Sequence, residues 1–153
     1  MPLVQKSAVQ CGLNAITGGL GGLGLRAAEM LFAGDVTAVV LSSRSGRVGR
    51  DLRAQLEPLG AATLLVACDV GDAADALSFL THYTLSGVLH AAGVLQDKIA
   101  RSMVMHEACA VFAPKALAAS YLDATLTPAL LESFGLFSSV ASTFGNVGQA
   151  NYA

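Results

Sequence analysis

The stretch "AITGGLGGLGLRAAEML" (residues 15–31) decides how this chain is read. Five of the seven residues Gly18–Gly24 are glycine, and a helix-like run follows at once. Upstream, "LNAIT" (13–17) is short and apolar, the pattern of a buried strand. A loop stripped of side chains between strand and helix has two explanations. It is a tight turn that lets helix and sheet pack closely, or a ligand must touch its backbone.

Outward from the loop, apolar runs alternate with helical patterns. "LGLRAAEMLFAG" (23–34) reads as a helix ended by Gly34, and "VTAVVLSS" (36–43) as a second strand. "GRDLRAQLEPLG" (49–60) reads as a polar-faced helix stopped near Pro58 and Gly60. "ATLLVACDV" (62–70) is a third strand, "DAADALSFLTHY" (72–83) a short helix and "SGVLHAAG" (86–93) a fourth strand. Residues 99–125 are helical with a bend at Pro114, and "SFGLFSSVAS" (133–142) is a fifth strand. This is the βαβ rhythm of a parallel sheet. The strand runs are continuously apolar, as strands covered on both faces are. The expected fold is α/β: a Rossmann-type doubly wound parallel sheet of about five strands, with helices on both faces.

The chain has 153 residues, enough for one domain with a sizeable core. Apolar residues make up 54% and charged ones 13%, which argues against disorder. The net charge of −2 gives no basic footprint for nucleic acid. No apolar run reaches the ~18 residues of a membrane helix. Cys11, Cys68 and Cys109 stand far apart without a CxxC pair, so buried, reduced thiols are expected and no metal site. The N-terminus lacks a signal peptide's pattern; a cytoplasmic setting is expected, with a plastid or other compartment as the alternative.

Position gives the glycines their meaning. The loop follows Thr17 and contains Gly19-x-Gly21-x-x-Gly24, beside the wider spacing Gly18-x-x-Gly21-x-x-Gly24, with Leu20 within it. A helix N-terminus offers unpaired N–H groups and partial positive charge. A diphosphate sits there only where no Cβ blocks it. Between a strand and a helix, this spacing points to a dinucleotide. The second strand ends in Ser43-Arg44-Ser45 without the carboxylate that an NAD-binding chain places there. Arg44, flanked by hydroxyls, suits the 2′-phosphate of NADP. Arg47 is close enough to share that role, and a solvated surface arginine is the plain alternative. Asp69 and Val70 end the third strand, where a carboxylate can accept from the adenine amine. A helix cap is the alternative for Asp69, although Asp72 is better placed for it. Ala91, Ala92 and Gly93 end the fourth strand with residues small enough to admit a cofactor. His90 is given no catalytic role.

Taken together, "TGGLGGLG", "LSSRSG", "CDVGD", "GVLHAAGVLQD", "PKALAAS" and "LFSSVASTFGNVGQANYA" resemble the ketoreductase domain of polyketide synthases. That domain belongs to the short-chain dehydrogenase/reductase superfamily, and the reductase domains of animal-type fatty acid synthases are close. The resemblance runs from about residue 12 to the last. It implies NADPH-dependent reduction of a β-ketoacyl thioester, carried on an acyl carrier protein, within a synthase of several domains. From charge and run length, no nucleic acid and no membrane are expected as partners. By the same resemblance Tyr152 in "NYA" matches the catalytic tyrosine, Ser139 in "FSS" the serine, and Lys115 in the preceding helix the lysine. Ser138 and Ser142 are the alternatives to Ser139, and a surface role is the alternative for Lys115.

The chemistry suits these types. A tyrosine of pKa ~10 is a poor acid near neutrality, and a nearby ammonium stabilises its phenolate. Tyr152 can then protonate a carbonyl oxygen, with Ser139 bonded to the same oxygen and Lys115 also orienting the nicotinamide ribose.

Against the family pattern, the chain stops one residue after Tyr152. Residues 1–153 therefore read as a partial domain without its C-terminal helix, lid and last strands, inactive alone and poorly soluble. The Asp69–His90 and Arg44–Glu57 stretches are short for the family. Leu95-Gln96-Asp97 keeps the last aspartate of the B-type motif, and Phe144 stands where A-type enzymes carry tryptophan, which favours the D-configured alcohol. Two other classes stay open: a non-catalytic NADP-binding or scaffold half-domain, and a free-standing reductase of the same superfamily.

Overall fold

The computed structural model describes residues 12–126 and 131–151. Strands β1 (Leu13–Thr17), β2 (Ala38–Ser43), β3 (Thr63–Ala67), β4 (Leu85–His90) and β5 (Ser133–Leu136) form one sheet. All pair in parallel, in the order β3-β2-β1-β4-β5. The helices are α1 (Gly22–Ala33), α2 (Arg53–Leu56), α3 (Ala73–His82), α4 (Met105–Phe112), α5 (Ala118–Leu126) and α6 (Ala141–Phe144). None of the described helices is long and apolar enough to cross a membrane.

Successive strand residues face opposite sides of a sheet, and the core divides accordingly. Ile16, Val39 and Leu41 pack with Leu25 and Ala28 of α1 on one face. Ala15, Val40 and Val88 pack with Phe79 and Leu80 of α3 and Leu122 of α5 on the other. Leu25 and Leu122 are fully buried, each contributing about 1.5–3 kcal/mol of apolar transfer. The central strands thus have the double covering that their apolar runs require.

Register sets the site's position. Thr17 lies opposite Ser42 on one side and His90 on the other, so the strands end in step. The chain moves outward from β1 through β2 to β3, then returns to place β4 on the far side of β1. That reversal opens a crevice at the carboxyl ends of β1 and β4.

Five expectations need correction. Strand β3 is at an edge of the sheet, and Leu64 and Leu65 are nearly half exposed rather than covered on both faces. Residues 49–60 do not form one helix. They form a 3₁₀ turn at Arg50–Leu52, the single turn α2, and another 3₁₀ stretch at Glu57–Ala62. Pro58 has no N–H for an α-helical bond, and Gly60 takes φ +64°, which ends the helix. Residues 99–125 likewise divide into a 3₁₀ turn at Ala100–Ser102, α4, a π-helical turn at Ala113–Leu117, and α5. Pro114 lies in that wide turn, where the chain accommodates a residue that cannot donate. The fifth strand ends at Leu136 rather than residue 142, because β4 ends at His90, and the Phe137 N–H bond to His90 O closes the ladder. Of the cysteines, Cys68 is buried and free as expected. Cys109 is free but exposed, on the side of α4 away from its buried Val111. Cys11 lies outside the described residues.

Candidate functional site

At the carboxyl edge of the sheet, the glycine loop, the β2 and β3 ends and the β4 turn enclose a cleft of about 910 Å³. The loop's glycines serve different ends. Gly18 has φ +67°, and a Cβ there would stand 2.5 Å from Ala92 Cα. A Cβ on Gly24 would stand 2.5 Å from Gly19 Cα, so α1 packs directly onto the loop. Gly19 is turned inward: its N–H donates to Ser42 O at 2.9 Å, and a Cβ would meet Ile16 O at 2.7 Å. These three are glycine because the protein has no room.

Gly21 and Gly22 differ. A Cβ on Gly21 would lie 3.4 Å from its nearest neighbour and one on Gly22 4.0 Å, ordinary contact distances. Packing does not demand glycine at either position, yet both line the cleft. Gly21 caps α1 without a side-chain hydrogen bond, and the first residues of this twelve-residue helix line the cleft. A bare helix N-terminus of this kind is chemically compatible with an anionic group such as a diphosphate.

Beyond β2 the chain turns through Ser43-Arg44-Ser45-Gly46. Gly46 N–H donates to Ser43 Oγ at 3.1 Å, and Arg47 N–H to Ser45 Oγ at 3.2 Å. Each hydroxyl oxygen is thereby oriented while its hydrogen remains available to an anion. Arg44 and Arg47 are both exposed and both line the cleft. Asp69 also lines it, its Oδ1 accepting from Gly71 N–H at 3.0 Å. Asp72, not Asp69, caps α3, accepting from the N–H groups of Ala74 and Asp75.

The cleft therefore gathers Gly18, Leu20, Gly21, Gly24, Ser43, Arg44, Ser45, Asp69, Val70, Ala91, Ala92 and Gly93 of the expected cofactor residues. Thr17 and Gly19 lie beneath its floor and do not line it. Thr17 is fully buried and hydrogen-bonded to His90. Sequence reasoning missed Gly22, Leu23, Cys68, Val94, Leu95 and Pro114 as lining residues. Their neighbours carried the signal, but which side chains reach the cleft depends on the loop's path. Cys68 stays protonated near neutral pH. Burial first, then Asp75, Asp69 and Asp72, push its thiol up to about 11.

A second pocket of about 240 Å³ adjoins β4 and β5 and is lined by His90, Lys115, Ser138, Ser139 and Ser142. Two of the three expected catalytic residues, Lys115 and Ser139, thus share one pocket. Ser139 is the less exposed of the serines; its Oγ accepts from Ala141 N–H at 3.2 Å. Ser138 and Ser142 bond to each other at 3.2 Å, and Ser142 Oγ also donates to Ser139 O. Gly93 joins the two cavities. It lines the large cleft, and a Cβ there would stand 2.9 Å from Lys115 Cε. Tyr152 lies outside the described residues.

Comparison with known proteins agrees with this architecture. The family model described as "KR domain" matches residues 12–153. Polyketide synthase GfsB of Streptomyces halstedii is 38% identical over 149 residues, covering 93% of this chain and 3% of GfsB. A 6-methylsalicylic acid synthase of Arthrobotrys oligospora is 37% identical, covering 93% of this chain and 9% of that protein. The chain thus spans less than a tenth of these relatives' length. Among solved structures, PlmKR1, a ketoreductase from the first module of phoslactomycin biosynthesis in Streptomyces sp. HK803, superposes with a TM-score of 0.85 at 33% identity. It is matched over 100% of this chain and 37% of its own. A structure of A-type ketoreductases from a modular polyketide synthase gives 0.84 at 34% identity, over 97% of this chain and 33% of that one. A match that begins at the first described strand and spans the glycine loop, the switch-point cleft and the Lys115–Ser139 pocket makes this chain a member of the KR domain family of polyketide synthases.

Proposed function

We propose that the protein carrying this chain reduces a β-ketoacyl thioester, held on an acyl carrier protein, to the β-hydroxyacyl form with NADPH, beside other domains of a synthase. The observation that carries this reading is the junction at Gly93. There a cleft floored by bare main chain meets a pocket holding Lys115 and Ser139. NADPH supplies the hydride when bound. The N–H groups at the start of α1 would hold its diphosphate, and Arg44 with the Ser43 and Ser45 hydroxyls its 2′-phosphate. Asp69 would accept from the adenine amine. Ala91, Ala92 and Gly93 keep the path towards Lys115 free of bulk.

The chain's own residues then handle charge and proton. Ser139 donates a hydrogen bond to the substrate carbonyl oxygen as negative charge grows there. Tyr152 transfers its phenolic proton to that oxygen, which becomes the hydroxyl. Lys115 stabilises the phenolate left behind and orients the nicotinamide ribose.

Asp97 without a tryptophan at 144 favours the D-configured alcohol, although an A-type structure shares the fold. The free thiols of Cys68 and Cys109 are in keeping with a cytoplasmic setting.

The test is NADPH oxidation by the protein carrying this chain, with a β-keto thioester and chiral analysis of the product. The expected result is turnover that falls at least ~100-fold in Tyr152→Phe, the scale of a lost general acid. Turnover that survives this substitution overturns the assignment.

A further inference from the structure

The segment 146–151 is tied to the turn after β4 by polar contacts rather than by packing. Lys98 N–H donates to Gly148 O at 2.6 Å, and Lys98 pairs with Gln149 as an isolated parallel bridge. Gln149 Nε2 donates to Asp97 Oδ1, and Asn151 Nδ2 to Gln96 O, both at 3.0 Å. The apolar residues nearby give no anchor: Phe144 is 85% exposed and Val147 98%. Gly145 and Gly148 have φ +73° and +77°, and no neighbour within 4 Å of a Cβ built on either. The path of this segment therefore depends on what holds residues 96–98.

Lys98 is gripped from its other side. Its Nζ donates to both carboxylate oxygens of Glu107, at 2.8 and 2.9 Å. Glu107 is fixed in turn, its Oε2 accepting from Val104 N–H at 3.0 Å at the start of α4. Val104 has no side-chain acceptor, so one carboxylate both caps α4 and holds Lys98. The bonds from Lys98 first, and from Val104 second, keep that carboxyl below its ordinary range and ionised at neutral pH. Lys98 is about a third exposed, so the pair contributes geometry more than stability.

We propose that Lys98, gripped by Glu107, is a positioning residue: it anchors the segment 148–151 that leads into Tyr152. The proposal rests on Tyr152 being the proton donor. Displacing a catalytic group by about 1 Å can lower a rate by ~100-fold, and among the described residues the apolar side chains next to this segment, Phe144 and Val147, are exposed.

The experiment uses the protein carrying this chain, with Lys98→Met, Lys98→Arg, Glu107→Gln and Tyr152→Phe measured side by side. Glu107→Gln keeps an acceptor for Val104 N–H while removing the charge that holds Lys98. Readouts are kcat, KM, NADPH affinity by fluorescence, and amide exchange in peptides spanning 96–99 and 146–151. Lys98→Met is expected to lower kcat roughly 10- to 100-fold. KM and NADPH affinity stay within about threefold, and exchange in both peptides rises at least ~10-fold. Glu107→Gln follows in the same direction, and Lys98→Arg restores kcat to within about threefold. An unchanged kcat and exchange rate in Lys98→Met overturns the proposal. So does a kcat loss matched by an equal loss of NADPH affinity, which marks general unfolding. The two readings separate cleanly: turnover retained in Tyr152→Phe removes the proton-donor assignment. Turnover lost there but retained in Lys98→Met removes the positioning role alone.

Discussion

Thr17 and His90 are joined side chain to side chain across β1 and β4, with Thr17 Oγ1 at 2.6 Å from His90 Nδ1. The other ring nitrogen, Nε2, lies 3.2 Å from Lys115 O. A carbonyl only accepts, so Nε2 carries the hydrogen and Nδ1 accepts from the threonine hydroxyl. One neutral imidazole thus ties the strand below the glycine loop to the backbone of the turn that carries Lys115. That satisfies His90 as a core residue.

Its charge state makes stability depend on pH. Burial first holds His90 below the ordinary value of 6.5, while its bond to the Lys115 carbonyl works in the opposite sense without prevailing. As pH falls, the unfolded chain takes up this proton before the folded one does. The contribution is fully present above about 6.5, the unfolded value, and is lost as pH falls towards the lowered folded value. The urea midpoint should decline as pH falls below about 6.5, and His90→Asn should reduce that slope; equal slopes would refute this.

Thr17→Val keeps the shape but leaves Nδ1 buried without its donor. A loss of about 1–3 kcal/mol in urea unfolding is expected. Ser42 offers the contrast, since its Oγ is buried without a hydrogen-bond partner among the described residues. Ser42→Ala should cost under about 0.5 kcal/mol or stabilise the fold.

The glycine loop separates packing from binding. Gly24→Ala puts a methyl 2.5 Å from backbone and should lower stability by about 1–3 kcal/mol. Gly21→Ala should leave the melting temperature within about 2 °C while weakening NADPH at least ~10-fold. Parallel losses of stability and affinity in both variants would remove the reason for assigning Gly21 to the ligand.

Coenzyme choice is assigned to the β2 turn. Arg44→Ala should weaken NADPH roughly 10- to 100-fold, the range of a lost charge-assisted bond, and leave NADH affinity unchanged. Arg47→Ala, measured by the same titration, reports whether the second guanidinium shares the phosphate.

Gly93→Ala tests the junction between cleft and pocket. A methyl 2.9 Å from Lys115 Cε should displace that side chain and lower kcat about 10-fold or more. Unchanged kcat would show that Lys115 does not depend on this gap.

Local chemistry alone carried the fold. The apolar runs ending at Thr17, Ser43 and His90 and the glycines between β1 and α1 were legible because burial and bare backbone leave marks in neighbouring residues. The grouping of Ser43-Arg44-Ser45 with Asp69 and the glycine loop followed from a parallel sheet, whose strand ends share one edge. What the sequence left open was whatever depends on elements far apart in the chain. Nothing near Thr17 tells that it bonds to His90, and nothing near Lys98 tells that Glu107 holds it and Gly148 leans on it. The helical run expected over 99–125 is interrupted at Pro114, where a bend was expected, but it opens there into a π-helical turn between two helices and begins later than read, for a related reason. Periodicity reports which residues are apolar, whereas Pro114 and the contact with β4 decide where the helix must open. Which loop glycines exist for packing and which for a ligand was settled only by the space around each Cβ, a property of the assembled fold and not of any local stretch.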